Sequence, residues 1–572
     1  MLSALRRSPE VLTAVGACVG AATAAAVAPL TRAWFSAPTG GVGIVTISGY
    51  PKAYDYVVVA LLVAGSAIGG YVLSVGAPAP GRPAGEGARR HTWITTAIVF
   101  LLMLFVHDHP YALLEPFHEG EHLTPGFLFR GGERPYGDVF VLHGLAVDGG
   151  LDALVLGDPP SPRRVRRLET ILNAATLALL VPIAAEITAT TAGAATAALI
   201  GLCAIAAGQV TLFPFFRLAP ILLASWPLLR YVRTRSVRLL VMASVASSLG
   251  VLWSLDTGLY AFAATIVVIL VLRPRAIVIP LIALALPLLI LLAVRADLHR
   301  FFVDSFITIP RSIDAIWSRP APVGWSWETA RYYVPPIFFG WLLASAIRQH
   351  DARMAIVAIF SVVAFRTAAG RCSWSHTRYG IPLLGVAIVA FALEPLLLAR
   401  RRVVAVLLAI VLFVYAEVAP NVTATAGFVA GWRARQSHAG LVSYPLATGR
   451  GTYTTRENAS DLAALNGLLD ATAPPGASIL DVSNERALYY LLQRRPPTRC
   501  ADIPMLSASP LMSEAMQQLE ANPPACVILE GLNVVAEFDG VPSRVRVPAL
   551  FAWIDAHYPR RIRTGRYLVA TR

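Results

Sequence analysis

Long uninterrupted apolar stretches recur along most of this chain, and they settle its fold class before any motif is considered. A helix that crosses a bilayer needs about 20 apolar residues. Windows of that kind fall near 11–31, 56–75, 92–107, 169–186, 189–212, 215–231, 238–254, 258–272, 276–294, 332–347, 354–369, 379–398 and 403–419. Inside lipid every backbone N–H and C=O must be paired within the chain, so such windows become helices. The expected fold is therefore a polytopic α-helical membrane protein of about 13 transmembrane helices. It occupies residues 1–419, with a large loop over 108–168, and a small α/β domain follows over 420–572. The first window follows Arg6 and Arg7 and exceeds the roughly 7–15 apolar residues of a cleaved signal, so it reads as a retained anchor.

Charge gives the expected orientation. Of 48 Lys and Arg residues only Lys52 is lysine, a skew expected of a GC-rich genome such as an actinomycete's. The arginines stand in short clusters between apolar windows, not on one basic face, which argues against a nucleic-acid partner. Arg6 and Arg7, Arg82 to Arg90, Arg230 to Arg235, Arg273 with Arg275, Arg348 with Arg353, and Arg400 to Arg402 fall on one side, the cytoplasm by the positive-inside rule. Arg163, Arg164, Arg166 and Arg167 break the pattern. Reading 139–156 as a further span would restore it, but Asp148 and Asp152 interrupt that segment, which reads better as an interfacial amphipathic helix. The count then places the 108–168 loop, the 254–258 turn, residues 295–330, the 370–379 loop and the tail together on the outer face of a plasma-membrane protein.

In the tail, Asn458 to Asp461 are expected to cap a helix running to about Ala471, with strands at 478–482, 525–529 and 566–570 and helices at 485–493 and 548–557. None of the five cysteines has metal-ligand spacing, and only Cys500 and Cys526 share the tail, which leaves a disulfide between them open.

A polar island, Phe117-His118-Glu119-Gly120-Glu121-His122-Leu123, interrupts the apolar pattern in the first large loop. Two carboxylates flanked by apolar residues at a membrane surface suit general-base work, because partial desolvation raises a carboxyl pKa toward neutrality. Glu119 and Glu121 are the candidate catalytic residues. His118 and His122, four apart, would meet on one face of a helix and leave a divalent metal open, although Gly120 and Pro125 weaken that helix. Asp256 suits a hydroxyl contact or a helix cap. Arg371 and Arg378, around His376, are the preferred cations for an anionic leaving group, with Arg217, Arg295 and Arg311 in reserve. Trp317, Trp325 and Trp327 suit either sugar stacking or an interfacial aromatic belt.

The motif Glu119-Gly120 with Leu123, followed by Pro135-Tyr136 and Asp138, and then by Asp256, Gly370, Arg371 and His376, resembles the C-type (GT-C) glycosyltransferase superfamily. The tail phrase Asn484 to Thr498 is similar to tails of bacterial members. The resemblance implies a GT-C-like membrane domain that takes a sugar from a polyprenyl phosphate carrier and passes it to a glycan or lipid acceptor on the external face. It implies substrate contacts for His118, His122, Tyr136, Asp138, Asp256, Arg371, His376 and Arg378. The chain departs from the pattern at His118, where many members carry aspartate, which leaves Glu121 to take that role or the site inactive. Ser373 is a second departure from an aspartate. The competing classes are a lipid or solute transporter, and a non-catalytic membrane scaffold whose tail binds envelope partners. A transporter would carry ionisable groups near the midplane and repeated halves.

Overall fold

The computed structural model describes residues 9–75, 92–107, 111, 113–190, 194–195, 215–372, 376, 382–395, 436–474, 476–532 and 539–572. The chain is a polytopic helical membrane protein. The apolar windows fold as helices α1 Pro9–Thr31, α2 Lys52–Ser74, α3 Thr92–His107, α5 Pro162–Ile187, α6 Ala219–Thr234, α7 Val237–Trp253, α8 Leu255–Leu272, α9 Pro274–Ala293, α10 Trp327–Gln349, α11 Ala352–Gly370 and α12 Pro382–Ile388; α4, His118–Arg130, carries the polar island. Six of them (α1, α2, α5, α8, α9 and α11) are long and apolar enough to cross a bilayer by length and composition. The expected windows 189–212 and 403–419 fall almost entirely outside the described residues.

Apolar side chains on the outer faces, such as Ile98 and Leu101 of α3 and Ile282 and Leu289 of α9, stand more than half exposed, as a lipid-facing surface requires. Inside, Ile183, Leu228, Leu240, Ala264 and Phe360 join α5, α6, α7, α8 and α11 in one apolar core.

Helices α1 and α2 meet along glycine. A Cβ on Gly16 would stand 2.2 Å from the Gly69 carbonyl oxygen, and one on Gly20 1.9 Å from that of Gly65. Helix α10 enters the same seam, where a Cβ on Gly340 would lie 2.4 Å from the Val63 carbonyl oxygen. Between apolar helices in lipid, close backbone approach over small residues replaces the hydrophobic drive as the source of packing energy.

Past residue 440 the chain forms a two-stranded ribbon, β1 Leu441–Ser443 with β2 Tyr453–Thr455, and a four-stranded mixed sheet. The sheet order is β3-β4-β6-β5, from β3 Ile479–Asp481, β4 Cys526–Glu530, β5 Arg560–Thr564 and β6 Tyr567–Thr571; β3 runs parallel to β4 and the other pairings are antiparallel. Helices α13 Arg456–Thr472, α14 Ala487–Leu491, α15 Ser509–Ala521 and α16 Pro548–His557 accompany it. Thr455, not Asn458, caps α13, its side chain accepting the Asn458 N–H. Cys500 and Cys526 are buried free thiols in separate apolar clusters, so the disulfide left open by the sequence does not form.

This sheet does not have a core to itself. Tyr136, Phe301 and Ile316 share one apolar cluster with Leu506, Val527 and Trp553. The membrane-proximal loops and the tail are therefore packed as one body.

Gly16→Leu forces the α1–α2 seam apart and lowers the thermal unfolding midpoint of the solubilised protein, by an amount corresponding to about 1–3 kcal/mol. Gly467→Ala in α13, where a Cβ meets nothing within 4 Å, stabilises by about 0.5–1 kcal/mol. Melting curves followed by circular dichroism check both.

Candidate active site

The polar island is helical despite its glycines, and the neighbours of those glycines explain why. In α4 a Cβ on Gly120 would lie 2.2 Å from the Ala487 nitrogen, and one on Gly126 2.7 Å from Asp152 Cβ. Each glycine costs about 1 kcal/mol of helix propensity, and each allows another segment to press against the helix. On one side lies the start of α14; on the other lie the helical turns Ala146–Gly150 and Leu151–Val155. The segment expected to be an interfacial amphipathic helix is thus an irregular turn with Asp148 and Asp152 buried.

The two histidines do not form a metal pair. His118 Nδ1 lies 3.0 Å from Glu115, while His122 Nδ1 lies 2.5 Å from Asp152 and its Nε2 3.3 Å from Glu169. Among the described residues no three His, Cys, Asp or Glu side chains are grouped to hold a metal ion.

Glu119 is bound on both oxygens. Arg166 Nε donates to Oε1 at 2.6 Å and Nη2 to Oε2 at 2.9 Å, and the Glu115 N–H adds a third bond at 2.9 Å. Burial alone would raise its pKa, but Arg166 outweighs burial and holds the carboxyl below the usual range. Glu119 is therefore an anchor between α4 and α5, poorly suited to accept a proton. Of the arginine cluster that broke the charge pattern, Arg166 is spent in this pair, while Arg163, Arg164 and Arg167 are exposed. Arg166 also donates to the Leu113 carbonyl at 3.1 Å, and Arg164 lies against Gly157, where a Cβ would meet its guanidinium. For His122, burial works against the charged form, but Asp152 and Glu169 prevail and push its pKa up to about 10.

Glu121 faces the other way, into a cavity of about 30 Å³ lined also by His143, Asp148, Arg486, Arg499 and Asp502. Its Oε1 lies 3.4 Å from Arg486 Nη1. Arg486, 7% exposed, also reaches Asp502 at 2.9 Å and lies 4.6 Å from the centre of the Phe117 ring. His143 Nδ1 is 3.0 Å from Asp148, whose other oxygen accepts the backbone N–H groups of Leu142 and His143. Burial disfavours charge on both members of that pair, yet each is shifted toward its ionised form by the other. Arg499 is held by Asp304 at 2.5 Å and Glu514 at 3.0 Å.

A second group of cations lies outside the cavity lining, with Arg371 within electrostatic reach of Glu121. Arg371 donates to the Trp317 carbonyl and to Asp539, each at 2.9 Å, and Arg319 grips the same Asp539 oxygen. The backbones at 319 and 371 form a bridge. Lys52, the only lysine, is fully buried and braces both segments: its Nζ donates to the Arg319 carbonyl at 2.8 Å and to Cys372 Sγ at 3.2 Å, and it pairs with Asp55 at 2.7 Å. Arg217 pairs with Asp256 at 2.9 Å, and Asp256 also accepts from Ser254 and the Thr257 N–H. Burial, together with the positive field of Arg371 and Arg217, pushes the pKa of His376 well below its ordinary value and keeps the ring neutral.

The remaining sequence candidates lie apart from the cavity or outside the described chain. Tyr136 is a core residue with φ of 64°, packed edge-on against Phe301. Asp138 forms a two-point pair with Arg134 at the surface, which holds its carboxyl below the ordinary range. Arg378 lies outside the described residues. Arg295 and Arg311 are exposed, as is Trp325. Sequence reasoning missed Arg166, Arg319, Arg486, Asp502 and Asp539. Two signals were available: Arg486 sits in the tail phrase already singled out, and a lone lysine among arginines marks a position where a guanidinium does not serve.

No protein-family model matches the chain, and no curated protein matches it. Among solved structures it is similar to ArnT from Cupriavidus metallidurans bound to undecaprenyl phosphate, at 14% identity over 84% of this chain and 98% of that one, with a TM-score of 0.48. The same protein in its apo state matches at 14% identity over 84% of this chain and 97% of that one, with a TM-score of 0.45.

Because Glu119 is held below its ordinary pKa, its contribution to stability is present above the usual carboxylate range and is lost as pH falls through the lowered value. The contribution of His122 is complete below about 6.5 and is lost as pH rises through about 10. Wild type is therefore expected to lose stability between those two values, and His122→Gln to flatten that limb. Glu119→Ala strands the buried Arg166 charge and costs about 3–5 kcal/mol. Thermal melts across the pH range test all three statements.

Proposed function

We propose that this protein is a membrane glycosyltransferase that moves a sugar from a polyprenyl phosphate carrier to a hydroxyl of a glycan or lipid acceptor on the external face, with Glu121 as the base. The observation that carries this reading is the position of Glu121: a partly buried carboxylate lining a cavity, within electrostatic reach of Arg371. In the transfer the acceptor hydroxyl gives its proton to Glu121 while its oxygen bonds to the anomeric carbon. The bond from that carbon to the phosphate oxygen breaks, and the phosphate leaves with the electron pair. Attack opposite the leaving group inverts the anomeric centre. Arg371 and Arg319 are the cations for the departing phosphate, whose planar two-point fit to a guanidinium matches that of the carboxylate they now hold. Asp539 occupies the phosphate position on those arginines and exchanges with it when the donor binds. The neutral His376 is assigned to the sugar, and Asp256 holds Arg217 in place.

The same Asp539 contact favours the scaffold reading to one extent: with its carboxylate seated, the cations are already neutralised.

The residues after 420 are placed outside the membrane in this reading, because Arg400 to Arg402 precede a single final apolar window. Phosphatase fusions at Thr452 should be active and fluorescent-protein fusions dark; the opposite pattern would put Glu121 and the tail in the cytoplasm and remove the reading.

Glu121→Gln should abolish transfer in washed membranes, by about 10²- to 10⁴-fold, with the protein still folded because Asp502 remains beside Arg486. Arg371→Lys retains the charge but loses the planar fork, so donor affinity weakens, and more so in Arg371→Ala. A Glu121→Gln protein at near-normal rate would refute the assignment of the base.

A further inference from the structure

The cavity beside Glu121 is lined by segments far apart in the chain: α4, the 139–148 segment and the tail. Glu121 comes from α4, and Arg486 and Asp502 come from the tail, docked there by specific contacts. Thr124 Oγ1 donates to the Arg486 carbonyl at 2.7 Å, the Ala487 N–H donates to the Pro116 carbonyl at 2.9 Å, and Gly120 leaves room for both segments. The tail is thus held to the island through the backbone at 486 and 487, which fixes where the Arg486 side chain starts.

Arg486 and Asp502 are both more than nine-tenths buried, yet their bonding is incomplete. Among the described residues, Nε and Nη2 of Arg486 and Oδ2 of Asp502 have no hydrogen-bond partner; Nη2 and Oδ2 stand 2.9 Å apart as charges without the alignment of a bond. Leaving a buried polar group unfilled costs about 1–3 kcal/mol, more when it is charged. The two side chains that carry these unfilled atoms both line a cavity of about 30 Å³, which has room for a group the size of a hydroxyl or one or two waters. A hydroxyl both accepts and donates, which suits a guanidinium beside two carboxylates.

We propose that Arg486, Asp502 and Glu121 together form the subsite for the acceptor hydroxyl, with the tail supplying two of its three side chains. The hydroxyl oxygen accepts from Arg486, and its proton points at Glu121. Asp502 holds the guanidinium and takes a second hydroxyl or a water from the same acceptor. The ligand class is a polyol, as a sugar or a glycerol headgroup would present. The inference rests on Glu121 as the base and adds where the acceptor sits and which part of the chain reads it.

The test uses the full-length protein in nanodiscs, polyprenyl phosphate donor lipid extracted from the source membranes, and glycerol as the surrogate acceptor. Glyceryl glycoside formation is followed by mass spectrometry, and donor binding is followed separately. Asp502→Asn, nearly isosteric, and Arg486→Lys, which keeps the charge, should each raise the glycerol KM by about 10- to 100-fold, the weight of a hydrogen bond to a charged group. Donor affinity stays at the wild-type value, and the fold is retained because each variant leaves a cation at 486 beside at least one carboxylate. Arg486→Gln should be worse than Arg486→Lys, so that the conservative variant shows partial rescue. If Arg486→Lys does not fold, Asp502→Asn decides alone. An unchanged glycerol KM in Asp502→Asn, with Glu121→Gln inactive, overturns the subsite and leaves the base in place. An active Glu121→Gln overturns both.

Discussion

Burying charge away from water is too costly to leave uncompensated, and the region around α4 is arranged by that constraint. Within five residues the helix buries Glu119 and partly buries Glu121 and His122, and each finds its counter-charge on a different part of the chain: Arg166 on α5, Arg486 in the tail, and Asp152 in the turn after residue 150. Each pair is also a geometric instruction. The helix can be seated in only one rotation that satisfies all three, and that rotation sends one of the two glutamates into the cavity and ties the other to an arginine. The division of labour between Glu119 and Glu121 follows from which partner each one meets, since the two side chains are chemically the same.

The membrane helices were legible in the sequence because lipid imposes one rule on every residue of a span. α3 coincides with its expected window, and α8 and α11 extend theirs by a few residues. The site was legible only in outline. That Glu119 and Glu121 matter could be read from an acidic island among apolar residues, but their partners lie at least 47 residues away, and local spacing carries no information about that pairing. The two histidines were read as a pair from i, i+4 spacing, yet the stronger pull of Asp152 and Glu169 separated them. In the tail, β5 went unnoticed because Arg560, Arg561 and Arg563 hide the alternation of an exposed edge strand. Helix α15 was overlooked although Leu511, Ala515 and Leu519 repeat at helical spacing and are buried.

Lys52 shows how composition can point to structure. In a chain that uses arginine for nearly every cation, one lysine lies fully buried at the start of α2, where a compact ammonium reaches a carbonyl, a thiol and a carboxylate at once. A guanidinium is planar and broader and would not fit that point. Its effect is felt at a distance, because the two backbones it ties carry Arg319 and Arg371, whose side chains converge on Asp539.

The seam between α4 and α14 also has a bearing on biosynthesis. Thr124 and the Arg486 carbonyl it binds are 362 residues apart in the chain. Synthesis runs from the amino end and early segments fold first, so the glycine seam of α1 and α2 is available to pack while most of the protein is still unmade. The cavity lacks the tail's side of its lining until the tail emerges. A nascent or prematurely terminated chain would hold every described span and the glutamate, but not the arginine opposite it. The cavity is thus assembled in two stages separated by most of the membrane helices, and it takes its final lining only when residues 486 to 502 reach α4.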